Sequence, residues 1–93
     1  MEEIKPLTID SVRSSQALAR EIFIKTRKEE LIKDINYHIS EQIACGSREK
    51  FLYYSSDKFD DFQVDCLIVK EFREAGYRAR FGRRNQYLII DWS

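Results

Sequence analysis

Tyr77-Arg78-Ala79-Arg80-Phe81-Gly82-Arg83-Arg84-Asn85-Gln86-Tyr87-Leu88-Ile89-Ile90-Asp91-Trp92 reads as a tight β-hairpin, and the architecture can be built outward from it. Two strand-like runs flank the polar turn Gly82-Arg83-Arg84-Asn85, whose glycine suits a hairpin connection. Side chains alternate along a strand, so Leu88, Ile90 and Trp92 share one face and Tyr87, Ile89 and Asp91 the other. This last strand is the most apolar, which predicts a central place in the sheet. Upstream, Phe62, Cys66, Val69 and Phe72 form a helical stripe widened by Leu67 and Ile68, and Gly76 ends that helix. The helix is expected from about Asp60 to Ala75. Before it, Lys50-Phe51-Leu52-Tyr53-Tyr54 reads as a strand with Phe51 and Tyr53 on one face, and Ser55-Ser56-Asp57-Lys58 as the turn out of it. The C-terminal half, residues 50–92, is therefore a β-α-β-β unit. Its three-stranded sheet has the order 1-3-2 and is covered on one face by helices, an α+β fold.

The N-terminal half is helical. Thr8 can cap the helix with its hydroxyl, and Asp10 in the first turn answers the helix dipole. No breaker interrupts residues 9–44, and Gly46 is a good stop. Val12, Leu18, Ala19, Ile22 and Phe23, then Leu31, Ile32, Ile35, Ile39 and Ile43, recur mostly at three- and four-residue spacings. The nearly all-charged run Lys25 to Glu30 breaks this stripe, so residues 8–45 are either one helix or two that meet near Thr26. A single helix of this length would span about 54 Å, more than a chain of this size is wide. It would have to project, and a projecting amphipathic helix needs a partner. Residues 1–7 are expected to be a flexible lead-in.

With 93 residues, 43% of them hydrophobic and 34% charged, the chain has room for one globular domain. Bases and acids balance at 16 each, which argues against a globally basic nucleic-acid binder. Their distribution is uneven. Residues 55–75 hold six acids against three bases, and residues 76–93 four bases against one acid. Pairing between these two segments is the simplest expectation. Two cysteines, Cys45 and Cys66, make no disulfide framework. The start of the chain lacks the basic and apolar pattern of a signal peptide, and no apolar run approaches the ~18 residues of a membrane span. A cytoplasmic protein without membrane contact is expected.

Catalysis finds little support. The sole histidine, His38, sits mid-helix, and Cys45 lies about two turns from it, out of hydrogen-bond reach. The pair Asp60-Asp61 suits a helix start better than a metal. Isolated glycines form no phosphate loop. No cofactor, metal or catalytic residue is expected. Two contact surfaces remain. Arg78 and Arg80 on one strand face, Arg83 and Arg84 in the turn, and Tyr77 and Tyr87 for stacking make a candidate partner-binding set, whether for protein or, weakly, for nucleic acid. Val12, Leu18, Ile22 and Phe23 make a candidate self-association surface leading to a homo-oligomer.

The order of signals resembles that of small tailed-phage proteins of accessory or virion type. The likeness rests on the opening Leu7-Thr8-Ile9-Asp10-Ser11-Val12 and the long charged helix through Leu31-Ile32-Lys33-Asp34-Ile35 to Gly46. It continues in the helix ending Glu74-Ala75-Gly76-Tyr77 and the closing Ile89-Ile90-Asp91-Trp92-Ser93. The resemblance implies a non-catalytic interaction protein, in the host cytoplasm or the virion, that contacts a host or phage protein. It carries no site residue across. The Arg-rich turn and the acidic stretch from Asp57 to Asp65 depart from the shared pattern.

Overall fold

The structure, a computed structural model, describes residues 4–82 and 86–93. Helix α1 is a single element, Ile9–Ala44, 36 residues long. Thr8 caps it, its hydroxyl accepting from the Ser11 N–H at 3.2 Å. At the other end Gly46, at φ +74°, turns the chain so that the Gly46 and Ser47 N–H groups bond back to the Ile43 and Gln42 carbonyls. Strand β1 is Phe51–Ser55. Helix α2 is Phe62–Glu74, with Asp61 as N-cap accepting from the Gln63 and Val64 N–H groups at 3.1 and 3.3 Å. Strands β2, Arg78–Phe81, and β3, Tyr87–Asp91, close the chain.

The strands form one sheet of order β1-β3-β2, both pairings antiparallel. β3 is central, as its apolar character predicts. Across the sheet, Leu52 and Ala79 sit opposite Ile90, and Tyr54 and Phe81 opposite Leu88. These residues face the helices. Leu31, Ile35 and Ile39 of α1 and Val64, Ile68 and Phe72 of α2 complete a single buried cluster with Tyr54, Ala79, Leu88 and Ile90. Trp92 shares that face but lies one residue beyond β3, packed against the rim of the cluster and half-buried, edge-on to Tyr77.

The charged run that breaks the stripe of α1 is where the two helices join, and not a gap between two helices. Arg20 pairs with Asp61 at 2.6 Å, Arg27 with Asp60 at 3.4 Å and Lys28 with Glu71 at 2.7 Å, while Lys58 pairs with Glu30. Among the described residues, Asp60, Asp61 and Glu71 of the acidic segment are thus matched by α1, and none of its acids by the hairpin. The reason lies in packing: both helices cover the inner face of the sheet side by side, whereas Arg78 and Arg80 point outward. Two further side chains reach the sheet's outer strands. Gln42 donates from Nε2 to the Phe51 carbonyl at 2.9 Å, and Arg73 from Nε to the Ala79 carbonyl at 2.9 Å.

Candidate functional site

The first candidate surface is the N-terminal part of α1. Every buried residue of this helix lies at or after Leu31, and Ile24 is the first apolar side chain packed on the core. The preceding turns extend past the globule. Val12, Leu18, Ile22 and Phe23 are exposed, as are Ile4, Leu7 and Ile9. At 100° per residue, Ile9, Val12, Ala19 and Phe23 run down one side, and Leu18 and Ile22 lie roughly a third of a turn away. The four residues expected to form one surface therefore divide between two neighbouring lines. Phe23 is also braced, with the Arg20 and Arg27 guanidinium carbons 5.5 and 5.1 Å from its ring centroid. Ile9 continues the line of Val12 one turn earlier, a signal present in its three-residue spacing.

The second is the outer face of the sheet, which no described element covers. The register sets three rows across it: Phe51–Asp91–Arg78, Tyr53–Ile89–Arg80, and Ser55–Tyr87. Phe51 and Tyr53 have ring centroids 5.1 Å apart, and Tyr53 and Tyr87 6.0 Å, edge-on. Tyr53 is 63% exposed at the middle of the patch. Arg78 and Arg80 form no ion pair with a described residue. Asp91 is engaged, accepting from the Ser93 N–H at 2.8 Å, and the Ser93 hydroxyl first, then that N–H and nearby Arg78, hold its carboxyl below the usual range. A groove of about 530 Å³ at the β2 edge is lined by Arg73, Tyr77, Arg78, Arg80, Ile89 and Asp91 among others.

The structure brings Arg78, Arg80 and Tyr87 onto this face. Tyr77 is separated from Tyr87: it packs edge-on against Phe72 at 5.5 Å and borders the groove. Arg83 and Arg84 lie outside the described residues. Phe51 and Tyr53 belong to the surface although the hairpin alone does not point to them. Their alternation was readable, but their meeting with Arg78 and Arg80 depends on β3 standing between β1 and β2.

Other titratable groups serve the fold. Tyr54 donates to Asp34, and burial followed by this bond raises its phenol above the ordinary range. His38 lies 3.8 Å from the same Asp34, too far for a hydrogen bond. Asp65 is buried at 4% exposure, and its Oδ1 has no partner among the described residues. Burial first, then Asp61 and Asp60, push its pKa up to about 6. Among the described residues no group of three or more His, Cys, Asp or Glu is placed to hold a metal ion, and no helix is long and apolar enough to cross a membrane. Comparisons with protein-family models, curated proteins and solved structures found no match to this chain.

Proposed function

We propose that this chain is a non-catalytic interaction protein that self-associates through residues 9–23 of α1, in a phage-type accessory or virion role. The observation that carries the reading is the extension of α1 beyond its own core with Ile9 65%, Val12 43%, Leu18 59% and Ile22 58% exposed. Large side chains so placed gain little from an isolated helix, because helix stability in water comes mainly from packing an apolar face. A second copy supplies that packing at once, since the same stripe is present on it. The phage setting rests on the resemblance in element order and closing residues.

Light scattering over a micromolar concentration series tests the association. The parent chain is expected to rise toward a dimer. Of two paired substitutions, Val12→Glu with Phe23→Glu and Leu18→Glu with Ile22→Glu, the one on the contacting line should hold the protein at monomer mass. A parent chain of monomer mass at every concentration would remove the self-association, leaving a heterologous partner for the helix.

A further inference from the structure

We propose that the open face of the sheet binds a short run of single-stranded nucleic acid, its bases stacking on Tyr53, Phe51 and Tyr87 and its phosphates paired by Arg78 and Arg80. The ligand class follows from how the face divides. One side carries the aromatic rings of β1, contiguous with Tyr87 through centroid distances of 5.1 and 6.0 Å. The other side carries the two arginines of β2. Two strand spacings separate them, about 10 Å, and between them lie Ile89 and the already engaged Asp91. A nucleotide has the same polarity, an aromatic plate at one end and an anion at the other. Stacking on exposed rings combined with a basic track is how unpaired strands are held without reading sequence.

Charge points the same way. Arg20 and Arg27 are committed to Asp61 and Asp60, and Arg73 to the Ala79 carbonyl. Arg78 and Arg80 have no such duty among the described residues, so their charge is available to an anion. A duplex fits poorly, since its bases are stacked on each other and a chain of zero net charge has little to offer its backbone. A partner protein would leave two desolvated guanidinium groups to be matched by carboxylates.

Fluorescence anisotropy with labelled mixed-sequence 12-nucleotide DNA and RNA, each single-stranded and as duplex, tests this in about 50 mM salt. Expected is micromolar binding to single strands, several-fold tighter than to duplex, with the RNA and DNA arms showing which sugar is preferred. Two phosphate contacts to a single strand give a log–log salt slope of about −1.4. Tyr53→Ala and Arg80→Ala should each weaken binding about tenfold, while Tyr53→Phe, which keeps the stacking ring, should bind as the parent. Both sites are exposed, so thermal melts should stay close to the parent's and separate lost binding from lost fold. The proposal is overturned by duplex binding as tight as single-strand binding, or by binding that survives both alanine changes. It is equally overturned by binding lost only on Arg83→Ala with Arg84→Ala, or by absence of binding up to ~100 μM. Concentration-dependent mass abolished by Tyr53→Ala would instead make the face a protein contact.

Discussion

At the scale of single residues, the pairing of Gly82 with Tyr87 is the tightest constraint on the outer face. The Gly82 N–H donates to the Tyr87 carbonyl at 2.8 Å, and the Tyr87 ring lies directly over Gly82. A Cβ built on Gly82 would come within 2.1 Å of the Tyr87 Cζ. Gly82 is therefore required for space. Gly82→Ala should push the ring aside and cost roughly 1–3 kcal/mol of stability. The same substitution in a Tyr87→Ala background should cost far less, because the obstacle is gone. Urea unfolding of the four proteins in a double-mutant cycle measures the coupling. Equal costs in both backgrounds would mean that the ring does not rest on Gly82.

At the scale of elements, α1 divides into a docked part and an extended part at about Arg20. The docked part holds Leu31, Ile35 and Ile39, and no buried residue of α1 comes earlier. Removing residues 1–19 should accordingly leave the melting temperature of a monomeric sample within a few degrees of the parent's while abolishing any concentration-dependent mass. Calorimetry alongside light scattering checks both. A collapse in melting temperature would show that the extended turns support the core. Part of this was legible in the chain: the apolar Leu88-Ile89-Ile90 centres the sheet, whereas the missing breaker between Ile9 and Ala44 left one helix or two open. What the chain could not reveal locally was why Lys25 to Glu30 does not break α1. The partners of Arg27 and Lys28 are Asp60 and Glu71, distant in sequence and brought near only by packing. The placement of Phe51 and Tyr53 beside the arginines was hidden for the same kind of reason, as it needs the register of all three strands.

For the whole molecule, shape and titration are the observables. The principal extents are 69 × 23 × 22 Å and the radius of gyration is 18.5 Å, against about 12 Å for a compact chain of this length. Stability should peak in mildly acidic solution, because two carboxylates oppose each other. The Asp61 carboxyl is held below its usual range, chiefly by the Arg20 hydrogen bond, so its contribution is present above that range and lost as pH falls through its folded value. Asp65 is raised to about 6, so the folded chain keeps that proton better than the unfolded one. Its penalty grows as pH rises from about 4 to about 6 and is complete above. Asp65→Asn should therefore melt higher than the parent at pH 8, with the two curves converging below about pH 4. Thermal melts across pH 3–8 check this, and a parent more stable than the variant at pH 8 would contradict it.

The side chains that reach the two outer strands also limit how the molecule can assemble. Gln42 occupies the Phe51 carbonyl and Arg73 the Ala79 carbonyl, so both margins of the sheet already have an acceptor taken. A fourth strand, from a peptide or another copy, would have to evict one of them before it could align. Growth by strand addition, the route to open-ended fibres, is thereby discouraged at both ends. Association is left to surfaces that can close on themselves.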